Sequence, residues 1–287
     1  MPYLIPEVVE RLDPEGTAVP VVFDSPHSGK AYPEDFGHSL ALEKVRRFED
    51  AFVDELYASA TSRGAVLIRA LFPRSYIDPN RAPDDIDESM LASPWESELN
   101  PGPKTHLGVG LIPKREPGGP MYKRMLGVEE VKRRIDGYWR PYHEAVRTAL
   151  DAAHQRFGAV WHVNCHSMPA ISTEVSAEGP GIPRPDICLG DRDGSTCDPA
   201  FTAAVADVFS SLGYGVTVND PYKGVELVRR YSDPSAGRHS LQIEINRGLY
   251  MDEDRIEKNG GFQSMQKNIA AVIKATCAFA GARARPC

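Results

Sequence analysis

In the stretch Val160-Trp161-His162-Val163-Asn164-Cys165-His166-Ser167-Met168-Pro169, residues 160–165 read as the clearest strand of the chain, running straight into the polar end His166-Ser167-Met168-Pro169. Upstream of it, residues 127–157 carry a helical pattern. Further back, residues 18–23 form an apolar run that ends in Asp24-Ser25-Pro26-His27-Ser28-Gly29, a strand followed by a tight polar loop. The stripe Val45, Phe48, Phe52, Leu56 and Ala60 predicts one helix over 43–63, stopped by Gly64. Strands are predicted at 65–69 and at 75–78, the latter opening into Pro79-Asn80-Arg81. Downstream lie a loop over 176–194, a helix capped by Asp198 and strands at 215–218 and 241–246, with a last helix over 261–279. Strands alternate with helices throughout. This predicts a three-layer α/β fold, a mixed but mostly parallel sheet flanked by helices, with residues 1–287 forming a single catalytic domain. Residues 82–119 are rich in Pro, Gly and acidic groups and are long for a structureless loop, so they are expected to cover something functional.

Composition narrows the class. With 41% hydrophobic and 25% charged residues the chain reads as soluble and globular. A net charge of -7 argues against a nucleic-acid or anionic-membrane partner, which would favour a basic face. An anionic small substrate remains open if a few arginines gather locally. No apolar run reaches the length of a membrane span, and no basic segment precedes an apolar stretch at the start. Five irregularly spaced cysteines without a Cys-x-x-Cys pair read as reduced thiols, which predicts a cytoplasmic location.

In such sheets, sites form outside the carboxyl ends of strands. Three unusual polar segments fall there: His27, Asn80-Arg81 and His166. Two histidines and a carboxylate, with one position left open, make the usual catalytic zinc set. Candidate carboxylates are Glu49, Asp50, Asp54 and Glu55, of which Asp50 and Asp54 share a helical face. Leu241-Gln242-Ile243-Glu244-Ile245-Asn246 alternates strictly, and in an interior strand a polar row is costly unless it lines a site. Glu244 is therefore a general-base candidate. Arg74 and Arg81 bracket a segment leading into the same region, where guanidinium would hold a carboxylate or stabilise an oxyanion. Ser25, Ser28 and Ser167 lack a Gly-x-Ser-x-Gly elbow, which argues against a serine hydrolase.

Five motifs follow one another in order: Ser25-Pro26-His27-Ser28-Gly29, Arg74 through Asp78-Pro79-Asn80-Arg81, Asn164-Cys165-His166-Ser167, Gly190 through Asp198-Pro199, and Tyr222-Lys223-Gly224 through Glu244. Together they resemble the N-formylglutamate amidohydrolase family, over about residues 20–253. The resemblance implies a fold related to zinc carboxypeptidases and aspartoacylase, with Zn2+ held by His27, Asp50 and His166. It further implies Glu244 as general base, Arg74 at the oxyanion, and Asn80 with Arg81 on the substrate α-carboxylate. Arg229 and His239 would grip the side-chain carboxylate. The expected reaction is hydrolysis of N-formyl-L-glutamate, at the end of histidine degradation. Position 30 is Lys where zinc carboxypeptidases complete His-x-x-Glu, so the carboxylate must come from elsewhere, Asp50 or else Asp54. The alternatives are another zinc deacylase or carboxypeptidase-like hydrolase on the same scaffold, and a metal-binding protein without turnover.

Overall fold

The computed structural model describes residues 3–116 and 118–284. Eight strands form one sheet: β1 Tyr3–Ile5, β2 Val9–Leu12, β3 Val21–Ser25, β4 Val66–Ala70, β5 Val160–Met168, β6 Ile187–Gly190, β7 Val216–Val218 and β8 Arg238–Asn246. Their order across the sheet is β1-β2-β4-β3-β5-β8-β6-β7. The central run β4-β3-β5-β8 is parallel, while β2 on β4 and β6 on β8 are antiparallel. The helices are α1 Leu42–Val45, α2 Val53–Leu56, α3 Pro103–His106, α4 Val128–Arg134, α5 Arg140–Phe157, α6 Pro199–Ser211, α7 Glu226–Tyr231 and α8 Phe262–Gly281. Odd-numbered apolar residues of the central strands, among them Phe23, Val163 and Ile243, pack under α6 and α8. A second core, with Val22, Ile68 and Val160, lies under α4 and α5. The result is the three-layer mixed α/β architecture that the alternation of elements predicts.

The helix expected over 43–63 does not form as one piece. Its stripe is apolar, but it serves two cores: Val45 and Phe48 pack on the α5 side, Phe52, Leu56 and Ala60 on the α8 side. Between them Glu49 is extended (ψ 137°) and Phe52 is left-handed (φ 66°). The segment is α1, a 3-10 turn, an extended crossing at Glu49-Asp50, then α2 and a second 3-10 stretch. Asp50 is thus at a break rather than on a helix face, and Asp50 N–H donates to the carbonyl of His27 at 3.0 Å.

Residues 75–78 are a buried turn rather than a strand: Pro73 and Pro79 flank a segment in which Tyr76 N–H bonds back to the Pro73 carbonyl and Asp78 N–H donates to the distant Leu111 carbonyl. The strands β1, β2 and β6 add to those read from the sequence; β6 lies inside the Gly/Pro-rich 176–194 stretch. The long 127–157 helix holds a π turn at Ile135–Trp139, which places the Trp139 indole N–H 2.9 Å from the Arg81 carbonyl. The 82–119 segment is pinned rather than loose: the Asp85 carboxylate accepts from Gly102 N–H at 2.6 Å and from the Thr105 hydroxyl.

Gly29 makes the site's scaffold possible. A Cβ there would stand 2.1 Å from the carbonyl oxygen of Phe72, so the turn after β3 rests directly on the turn after β4. Gly29→Ala should force these backbones apart and destabilise the fold by about 1–3 kcal/mol, the usual cost of overpacking. Urea denaturation checks it, and an unchanged midpoint would show that the two turns separate without cost.

Candidate active site

Parallel register builds the site. On β5 and β8, Gln242 pairs with Asn164 and Glu244 with His166; on β3, Asp24 pairs with Asn164. Each pair points to the same face because side chains alternate with period two. Polar side chains thus line up at the carboxyl ends of interior strands, beneath a cavity of about 590 Å³. That size is typical of small-molecule sites, which span about 300–1,000 Å³.

His27, Asp50 and His166 converge there and are all buried. His27 Nδ1 lies 3.0 Å from His166 Nδ1, and Asp50 Oδ2 is 3.2 Å and 3.0 Å from them. The far side of each ring fixes its proton. His27 Nε2–H donates to Asp78 Oδ1 at 2.7 Å, and His166 Nε2–H donates to Asn164 Oδ1 at 2.7 Å. Burial and the neighbouring His27 push His166 down to about 4, so its imidazole is neutral at pH 7. With both outer nitrogens bonded away, two Nδ1 atoms and a carboxylate oxygen face one another. That is a donor set suited to a metal cation. Ligands on zinc at about 2.0–2.1 Å and tetrahedral angles stand roughly 3.3 Å apart, close to what these donors show.

The surroundings hold this arrangement. Asp78 accepts from Arg74 Nη2 at 2.6 Å and from Asn80 N–H at 2.8 Å. Burial opposes its ionisation, but Arg74, His27 and Arg81 hold its carboxyl well below the usual range. Arg247 Nη2 donates to Asp50 Oδ1 at 2.8 Å, and Arg74 Nη1 stands 3.6 Å from the same oxygen. Beneath His166, Asn164 Nδ2 donates to Asp24, which also accepts from Tyr142 and His162.

Glu244 is interior, flanked by β5 and β6, and lines the cavity. Its Oε1 accepts from Gln242 Nε2 at 2.9 Å, while burial and the Asp50 charge push its carboxyl up to about 8. Arg74 and Arg81 also line the cavity. Arg81 donates to the carbonyls of Val109 and Asn80, at 3.1 Å and 2.9 Å, and among the described residues no carboxylate pairs with it. Asn80 borders the cavity; its Oδ1 accepts from Leu227 N–H at 3.0 Å, and its Nδ2 stands 3.2 Å from His166 Nε2.

Other expected residues fall elsewhere. Asp54 pairs with Arg69 and Glu55 with Lys258, while Glu49 binds Arg46 and Tyr32. The crossing at Asp50 separates the face that a continuous helix would have shared. Arg229 is an exposed residue of α7 paired with Glu226. His239 lies five residues before Glu244 on β8, roughly 16 Å along the strand, on the opposite face against Trp161. Neither borders the cavity, so the side-chain grip assigned to them has no place in this geometry.

Asp78, Asn164, Asp24, Arg247 and Lys104 line or support the site without a role expected from the sequence. Asn164 was legible, being two residues before His166 and hence on its face; Asp78 stood inside a quoted motif. Lys104 lines the cavity from α3 in the 82–119 segment, and no pattern in that segment signals it.

The sequence profile of N-formylglutamate amidohydrolase matches residues 19–251. A crystal structure of N-formylglutamate amidohydrolase from Ralstonia eutropha JMP134 is 46% identical, with a TM-score of 0.91 over 96% of this chain and 98% of that one. The N-formylglutamate deformylases of Pseudomonas putida and Pseudomonas aeruginosa are 30% and 29% identical over 241 residues, 82% of this chain and 83% of theirs. With the fold, the site and these likenesses in agreement, the chain belongs to the N-formylglutamate amidohydrolase family and is an enzyme, a hydrolase acting on an amide.

Proposed function

We propose that this chain is a zinc-dependent deformylase converting N-formyl-L-glutamate to formate and L-glutamate, at the end of histidine degradation in the cytoplasm. The observation that carries the metal reading is the set of three acceptor atoms, His27 Nδ1, His166 Nδ1 and Asp50 Oδ2, within 3.0–3.2 Å of one another. The substrate reading rests on the family and on the unpaired Arg81 in the cavity. Four free, buried cysteines support a reducing compartment, and no helix among the described residues is long and apolar enough to cross a membrane. The continuous eight-stranded sheet supports one catalytic domain.

His27, Asp50 and His166 would hold the ion, which when bound acidifies water and polarises the formyl carbonyl. A bound cation would also offset the Asp50 charge that raises Glu244, favouring its carboxylate form. Glu244 then accepts the proton of the attacking water and returns it to the leaving amine nitrogen. Arg74 donates to the tetrahedral oxyanion, a contact worth roughly 3 kcal/mol. Arg81 and the Asn80 Nδ2 hold the α-carboxylate, Asn80 Oδ1 being anchored on Leu227 N–H.

Formate release from N-formylglutamate is the direct test. A chelator should abolish it and added zinc restore it, with about one metal per chain by elemental analysis; undiminished turnover in chelator would end the metal reading.

Glu244→Gln should keep the metal and lower kcat by about 10²–10⁴. A variant retaining more than about a tenth of the activity removes Glu244 from the proton transfer. Arg81→Lys keeps the charge but not the planar fork, so kcat/KM should fall at least about tenfold. An unchanged value would take the α-carboxylate away from Arg81.

A further inference from the structure

N-formylglutamate carries two carboxylates, and Arg81 accounts for one. With Arg229 and His239 outside the cavity, a second cation must meet the other. Among the described residues the cationic lining includes Arg46, Arg47, Arg74, Arg81, Lys104 and Arg247. Arg46 is paired with Glu49, Arg47 with Asp254, Arg74 with Asp78 and Arg247 with Asp50. Lys104 has no carboxylate within ion-pair distance among the described residues. Its stem is partly buried, and its Nζ stands 5.4 Å from the centroid of the Tyr222 ring.

The same ring is flanked by Arg184, Cζ 4.9 Å from the centroid, which is buried and neutralised by Glu178 at 2.6 Å. Tyr222 is therefore held as a wall, with the paired cation and the unpaired one both against it. Burial and the nearby Arg81 push Lys104 down to about 8, the sign of a cation gathered beside like charge in a partly dry place. Like charges of Arg81 and Lys104 repel each other, and a second carboxylate in the cavity relieves that.

We propose that Lys104 is a specificity residue of the deformylase reaction, binding the carboxylate of the substrate side chain against Tyr222 and beside Arg81. This rests on the deformylase reading above. It also assigns a task to the 82–119 segment: Asp85 pins Gly102 and Thr105, on either side of Lys104, and so aims the ammonium into the cavity. The position is set by a connecting segment, whereas the reacting groups sit on strand ends and buried turns. Side-chain preference can therefore change without disturbing them.

The test compares kcat/KM for N-formylglutamate with that for N-formylglutamine, which replaces the side-chain carboxylate by a neutral amide of similar size. The wild-type enzyme should favour the glutamate derivative at least tenfold. Lys104→Met keeps an apolar stem on Tyr222 and should lower that ratio at least tenfold, mainly through KM for the glutamate derivative. Lys104→Arg should retain it within a few-fold, since charge and reach are kept. A ratio unmoved in Lys104→Met, or a wild type that uses both substrates equally, overturns the proposal. If Lys104→Met does not fold, the wild-type ratio and Lys104→Arg decide, a collapsed ratio in Lys104→Arg also counting against it. No formate from either substrate would overturn the deformylase reading itself, and this inference with it.

Discussion

Two imidazoles are held by hydrogen bonds to their outer nitrogens, and the rest of the site follows from that. His27 is held by Asp78, and His166 by Asn164. Each bond orients its ring so that Nδ1 faces Asp50 Oδ2. Neither holder is free to turn. Asp78 is locked by Arg74 and by the Asn80 N–H. Asn164 is oriented by Asp24, itself fixed by His162 and Tyr142. A buried carboxylate such as Asp24 is tolerable because every donor around it is satisfied; unpaired, it would cost several kcal/mol. Replacing Asp24 would thus act on His166 through Asn164, without touching the reacting atoms.

The sheet supplies the geometry that these bonds refine. Register alone places Glu244 beside His166 and Gln242 beside Asn164. The chain between α1 and α2 supplies the carboxylate by a different device. It must cross from the α5-side core to the α8-side core, and the crossing passes over the strand ends, leaving Asp50 above the two histidines. Phe52 adopts a left-handed conformation there, unusual for a bulky residue and costing about 1–2 kcal/mol. Packing of Phe52 against the α8-side core, next to Phe262, offsets it.

How much of this the sequence carried depends on what each signal encodes. Period-two alternation marked Glu244, and strand ends marked His27 and His166, because those residues are positioned by elements with a strong local pattern. The helix over 43–63 was misread for a physical reason: an apolar stripe records that residues are buried, not which core buries them. Asp50 was reached through family resemblance, and the break that places it left no mark except in tertiary packing. The 75–78 turn was misread because its backbone groups are satisfied by long-range partners such as the carbonyl of Leu111, invisible to any local window. Arg229 and His239 failed for opposite reasons. The first lies on a short exposed helix, while the second has the wrong parity on its strand: odd residues of β8 face the α8 side, away from Glu244.

Position in the fold also divides the tasks of such an enzyme. Groups that must meet the reacting carbon within a few tenths of an ångström sit on strands or on turns locked by buried charge, where neighbouring residues fix each rotamer. A carboxylate several bonds from that carbon tolerates a looser partner, and a lysine on a pinned connecting segment meets that requirement. An ammonium on a four-carbon stem can follow a flexible side chain, which a guanidinium fork fixed to two carbonyls cannot. Arg81 is such a fork, tied to Val109 and Asn80, and is suited to the carboxylate next to the scissile amide, whose position must not vary. Binding at the far end contributes to rate only if the near end stays rigid, because the energy gained there is then used to hold the formyl carbon in place.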